Sequence, residues 1–187
     1  MVILIGGVGY AGKTLLAQRL LEKYKYPYLS IDHLKMGLYR ADIGCGFMPC
    51  DSTEHIGEKI WPILKGIIMT SIENEQNLIV EGVYLLPQKI KELELGYLKN
   101  IISFYLVFSE AYIAKFFKSK IIHNRCVIEN RGYSDSNTAA DYIVENNRQK
   151  ERCLKHGGKY FEIDGEYHKE IDMIYSWINL MKSNAVK

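Results

Sequence analysis

Residues Gly7, Val8, Gly9, Tyr10, Ala11, Gly12, Lys13 and Thr14 read GVGYAGKT, a full match to the phosphate-binding pattern GxxxxGK[ST]. The chemistry such a stretch performs is the cradling of a nucleotide's phosphates. Glycines at 6, 7, 9 and 12 let the backbone curl with its N–H groups pointing inward, and a helix beginning near Gly12 aims its positive end at the same anion. Lys13 supplies a cation for the β- and γ-phosphates, and the Thr14 hydroxyl is placed to ligate the magnesium ion that accompanies a triphosphate. Residues from Gly7 to Leu15 therefore form the expected contact stretch for ATP and Mg2+.

A cradle of this kind needs a strand before it and a helix behind it. The apolar run from Val2 to Ile5 supplies the first, and Leu15, Leu16, Leu20 and Leu21 form a helical stripe for the second. Further β-rich runs fall at Tyr28 to Ile31, Leu78 to Val80, Ile101 to Phe108 and Tyr160 to Ile163, separated by segments with helical periodicity. That alternation predicts an α/β fold with a parallel sheet, right-handed crossovers and ligands at the carboxyl ends of the strands.

Two segments are longer than plain crossovers need. Asp32 to Asn77 predicts a substrate-binding insertion; its second half has an apolar face at Ile56, Ile60, Ile63, Leu64, Ile67, Ile68 and Ile72, with Asp51 and Glu54 as a capping pair and Pro62 as a kink or division. Phe116 to Ser136, carrying Lys118, Lys120, His123, Arg125 and Arg131, predicts a lid. Thr138 to His156 is helical again, ended by Gly157 and Gly158, and Tyr167 to Met181 closes the chain with an amphipathic helix.

With 187 residues, the chain has room for one well-buried domain. A formal charge of +2 and the absence of a basic run argue against a nucleic-acid partner, so the fourteen tyrosines are assigned to packing. No run approaches a membrane span, and the expectation is a cytoplasmic location with no membrane partner. Cysteines at 45, 50, 126 and 153 are too few and scattered for a disulfide framework, and Cys45, Cys50 and His55 lack the spacing of a metal cluster. Oligomeric state is not encoded in any pattern read here.

Three further pieces stand at strand ends: Ser30-Ile31-Asp32, Glu81-Gly82-Val83-Tyr84, and Tyr160 to Asp164. Together with the phosphate loop and the basic segment, they give an order that resembles the small P-loop kinases of metabolites and nucleotides: shikimate, gluconate, nucleoside monophosphate and zeta-toxin-like kinases. The stretch LIVEGVYLLP, Leu78 to Pro87, is most similar to the corresponding strand and loop of 2-phosphoglycerate kinases, which commonly have His where Tyr84 stands. The resemblance covers essentially the whole chain. It implies a three-layer P-loop NTPase fold with a five-stranded parallel sheet, an insertion over the acceptor, a lid over ATP, and ATP and magnesium as cosubstrate and cofactor.

Direct phosphoryl transfer needs an acceptor hydroxyl in line with the γ-phosphate, cations on its oxygens and exclusion of water. Asp32 is the candidate to orient or deprotonate that hydroxyl, or to hold a magnesium-bound water; Ser-Ile-Asp before Leu34 is also a helix start with Asp32 as N-cap, and both roles are compatible. Glu81 can act on magnesium through water, with Gly82 leaving space for the phosphates; a buried carboxylate here needs a positive partner, the metal or Lys13. Lys35 and Arg40 are candidates for an anionic acceptor, and Tyr84 is a separate candidate for contact with the acceptor. Arg125, Arg131 and Arg148 are candidates to stack on adenine and to neutralise the transferring group; by resemblance Arg125 suits the base, and Arg131 or Arg148 the phosphates.

The function predicted is an ATP-dependent kinase of a small metabolite, 2-phosphoglycerate-like, with a nucleoside or nucleoside monophosphate kinase as the alternative. A nucleotide-binding switch without turnover is a third class. Guanine switches carry NKxD and DxxG motifs, which Asn146-Asn147-Arg148 and Asp164-Gly165 do not match.

Overall fold

Alternate residues of the first strand, β1 (Val2–Gly7), face opposite sides of the sheet, and all six are buried, because helices cover both faces. Ile3 and Ile5 pack with Leu16 and Leu20 of α1 (Lys13–Tyr24), while Val2 and Leu4 pack against the opposite layer. The structure is a computed structural model that describes residues 1–42, 44–125, 127–128 and 137–185.

After α1 come β2 (Tyr28–Ser30), α2 (Ile31–Ala41), α3 (Thr53–Glu73), β3 (Leu78–Glu81) and two single-turn helices, α4 (Pro87–Ile90) and α5 (Leu95–Leu98). The chain continues through β4 (Ile101–Phe108), α6 (Glu110–Phe116), a π-helical turn (Phe117–Ile122), α7 (Ala139–His156), β5 (Tyr160–Ile163) and α8 (Tyr167–Ala185). All pairings are parallel, in the order β2-β3-β1-β4-β5. The fold is thus the α/β, five-stranded parallel architecture expected from the alternating runs. Connections lead from central β1 first to one side and then to the other, which makes its carboxyl end the switch point where α/β sheets bind ligands.

The helix starts differ from the sequence expectations. Helix α2 follows β2 without a loop, so Ser30 is its N-cap and Asp32 lies inside the first turn. Asp32 is therefore not the cap. At α3 the cap is Ser52, whose hydroxyl accepts from the His55 N–H, while Asp51 accepts from the Met48 N–H instead of pairing with Glu54. Helix α3 runs undivided through Pro62. Its buried Ile56, Ile60, Leu64 and Ile68 each contribute about 1.5–3 kcal/mol, enough to outweigh the roughly 3 kcal/mol cost of an interior proline. At α7 the capping box of Thr138 and Asp141 and the left-handed Gly157 mark both ends.

Candidate active site

The phosphate loop takes its shape from two glycines. Gly7 has φ 122° and lies against β4, where a Cβ would come within 2.1 Å of the Leu106 carbonyl oxygen; Gly12 has φ 79° and caps α1. A Cβ on Gly12 would meet the Tyr167 hydroxyl at 2.0 Å, and that hydroxyl donates to the Gly12 carbonyl at 3.1 Å. Burial holds the Tyr167 phenol well above its usual range, so it stays a donor. Tyr10, at φ 56°, stacks on Tyr142 of α7 with ring centroids 6.0 Å apart, and Tyr142 meets Phe117 edge-on. Val8 and Ala11 are buried, and Gly9 and Leu15 partly so.

Lys13 is 7% exposed, and its ammonium donates to the Val8 carbonyl at 2.6 Å, folded across the loop it belongs to. Next to it, the Thr14 hydroxyl donates to Glu81 Oε2 at 3.3 Å. Parallel register makes this contact: Ile5 is paired with Glu81, and Glu81 with Ser30, so the carboxyl ends of β1, β3 and β2 lie side by side. Glu81 is 2% exposed; burial holds its carboxyl above the usual range, against the opposing pull of the Lys13 charge. Two hard oxygen donors beside a phosphate cradle suit magnesium, which keeps waters and is held by one or two protein oxygens together with phosphates. Thr14 and Glu81 fit that role.

On the next strand end, the buried Lys35 ammonium donates to the Tyr84 hydroxyl at 2.8 Å and lies 3.4 Å from Asp32 Oδ1. Burial pulls this ammonium's pKa down, but the contacts with Tyr84 and Asp32 prevail and raise it, so Lys35 is charged. The structure thus brings Asp32, Lys35, Tyr84, Glu81, Thr14 and Lys13 together. Arg40 is exposed in the last turn of α2, about 140° round the helix from Lys35, and does not join them. A Cβ on Gly82 would meet Ile31 Cβ at 2.8 Å, so its missing side chain lets α2 pack on β3.

Arg125 follows the π-helical turn, its N–H donating to the Ile122 carbonyl at 3.3 Å, and Arg131 lies outside the described residues. Arg148, exposed on α7, lines a cleft of about 320 Å³ that reaches from Gly7 and Val83 to the start of α3. Arg152, one turn further along, lines the same cleft and forms an ion pair with Glu54. Sequence reasoning missed Arg152, although its i+4 spacing from Arg148 on a predicted helix was a usable signal. It also missed Tyr142 and Tyr167, for which no local signal exists. Among the described residues, no group of three or more His, Cys, Asp or Glu side chains is arranged to hold a metal by itself, and no helix is long and apolar enough to cross a membrane.

Across its length, the chain superimposes on solved kinase structures of low sequence identity. Shikimate kinase from Bacteroides thetaiotaomicron is 11% identical, with a TM-score of 0.60 over 96% of this chain and 98% of that one. The fold is that of the small P-loop kinases. A sugar kinase from Janibacter sp. HTCC2649 shares the P-loop kinase fold at 12% identity and TM-score 0.55, covering 95% and 94% of the two chains. Deoxyadenosine kinase from M. mycoides does so at 14% and 0.52, covering 96% and 99%. No protein-family model matches the chain, and no curated protein matches it.

Proposed function

We propose that this chain is an ATP-dependent kinase that transfers the γ-phosphoryl group of ATP to a hydroxyl of a small metabolite, with a 2-phosphoglycerate-like acceptor preferred over a nucleoside or nucleoside monophosphate. One observation carries this reading: the Thr14–Glu81 contact joins the phosphate loop to a strand end flanked by the Asp32, Lys35 and Tyr84 group. A phosphate cradle and a polar acceptor-side group then share one site, as transfer between two bound molecules requires.

In this reading Lys13 exchanges the Val8 carbonyl for the β- and γ-phosphate oxygens. Asp32 accepts the proton of the acceptor hydroxyl as that oxygen bonds to phosphorus and the bond to the β-phosphate oxygen breaks, leaving ADP. Lys35 fixes the Asp32 carboxylate and, with Tyr84, offers hydrogen-bond partners to the acceptor. Magnesium, held by Thr14 and through water by Glu81, would neutralise charge on the phosphates. The chain from 116 to 136 is assigned as the lid, with Arg125 toward the base and Arg131 and Arg148 toward the phosphates, and 32–77 as the acceptor-binding insertion within one kinase domain.

The test is an ATP-consumption screen over phosphorylated three-carbon acids, sugar acids, nucleosides and nucleoside monophosphates. Acceptor-dependent consumption that vanishes in Lys13→Ala is the expected result. ATP binding with no consumption above background for any acceptor would leave a nucleotide-binding protein without turnover.

A further inference from the structure

The carbonyl of Gly12 carries two donors. The Leu16 N–H reaches it at 2.9 Å as the first hydrogen bond of α1, and the Tyr167 hydroxyl, 155 residues further along the chain, reaches it at 3.1 Å. The first donor belongs to any helix that starts here. The second comes from the first residue of α8 and ends on a carbonyl that α1 has already satisfied. Helix α8 is a firm base for it, because Ile171, Ile174 and Ile178 are buried in the core that also holds Leu16 and Leu20 of α1. The Tyr167 hydroxyl also occupies the space where a Cβ on Gly12 would stand, which closes that side of the loop.

The geometry of one peptide says what the second donor does. None of the described peptide bonds is cis, so the Gly12 C=O and the Lys13 N–H lie in one plane and point in opposite directions. Lys13 is the first residue of α1, and the N–H of a first helical residue has no carbonyl in its own helix to reach. It is one of the groups that a phosphate cradle turns inward. A carbonyl held by two donors therefore fixes the direction of that N–H. Each bond that the carbonyl accepts also draws electron density from the nitrogen and makes the N–H a stronger donor, by about 10–30% per bond.

We propose that Tyr167 is a positioning residue for phosphoryl transfer: through the Gly12–Lys13 peptide it aims and polarises the Lys13 N–H toward the phosphate oxygens of the nucleotide. The proposal rests on the kinase reading and goes beyond it, giving a part in the transfer to a residue outside the phosphate loop, the acceptor group and the lid. A tie that merely holds α8 on α1 would act on the whole nucleotide alike. Positioning through this peptide acts on the phosphates and spares the base.

The test is Tyr167→Phe, which keeps the ring over Gly12 and removes only the hydroxyl. With Mg2+ present, binding of pyrophosphate and of a non-hydrolysable ATP analogue should weaken by a similar factor, about 3-fold to 10-fold, while adenosine binding is unchanged. In the analogue complex the Lys13 amide nitrogen should move upfield in the NMR spectrum, as its peptide carbonyl loses a donor. With a productive acceptor, kcat should fall about 10-fold and the acceptor KM should hold, because the N–H meets more charge in the transition state than in the ground state. Wild-type pyrophosphate affinity in the variant, or an unmoved Lys13 nitrogen, would overturn the proposal. So would an equal loss of adenosine and pyrophosphate binding, the mark of a loosened contact between α1 and α8. Failure of the wild-type chain to bind the analogue would instead overturn the kinase reading itself.

Discussion

Two halves of the site are made in different ways. Around the phosphate loop the shaping contacts use backbone groups: Val8 N–H to the Leu106 carbonyl, Gly82 N–H to the Ile5 carbonyl, and the Gly12 carbonyl receiving Tyr167. On the acceptor side the contacts join side chains, Lys35 to Asp32 within α2 and to Tyr84 beyond β3, and Glu54 of α3 to Arg152 of α7. Backbone contacts tolerate many side chains but few departures from glycine, whereas side-chain contacts are rewired by single substitutions. Under the proposed kinase reading, a common phosphate donor and a varied acceptor call for that division.

The sharpest way to break the comparison is Lys13→Ala, which removes the phosphate-loop side chain proposed to meet developing charge. Turnover should fall by about 100-fold to 1000-fold, measured with a saturating acceptor, while the melting temperature stays nearly unchanged. Loss of turnover together with a lowered melting temperature would mean that Lys13 holds the fold rather than the donor. Asp32→Asn comes next: kcat should drop about 100-fold with ATP affinity and melting temperature nearly unchanged, because the amide keeps the size and loses the base. A fully active Asp32→Asn variant would move the base elsewhere, with Glu81 the next candidate.

Glu81 belongs to both halves and gives a prediction of opposite sign for stability. Its carboxyl is held above the usual range by burial, with Lys13 pulling the other way, so between the ordinary carboxylate range and the raised value the folded chain keeps a proton that the unfolded chain has released. Stability then falls as pH rises from the ordinary carboxylate range through the raised folded value, and stays lost above it. Glu81→Gln should remove this slope and raise the melting temperature at pH 7, at about 2–4 °C per kcal/mol, while lowering activity about 10-fold. Thermal melts of both proteins across the acidic range check the slope. The smallest effect is expected at Arg40, exposed and turned away from Lys35: Arg40→Ala should leave both Michaelis constants within about twofold. A tenfold rise in the acceptor constant would extend the acceptor side outward along α2.

The same division decides what could be read from the chain alone. The loop, its strand and its helix are contiguous, so pattern and periodicity sufficed, as they did for the other strands and for α3, α7 and α8. Helices α4 and α5 escaped because four residues make a single turn, too short for a period to register. Asp32 could not be separated from a cap because that depended on α2 beginning directly at the end of β2. Lys35 and Tyr84, 49 residues apart, were named as separate candidates, and only the sheet register makes them neighbours. Tyr167 carried no motif at all.

That tyrosine has a consequence during synthesis. It lies 155 residues after Gly12, and nothing the ribosome makes earlier supplies the same hydroxyl to the loop's carbonyl. At translation rates of about 5–20 residues per second, the nucleotide cradle waits roughly 8 to 30 s between emergence and completion. A nascent chain stalled before α8 would carry the full GVGYAGKT motif yet hold ATP less firmly than the finished protein.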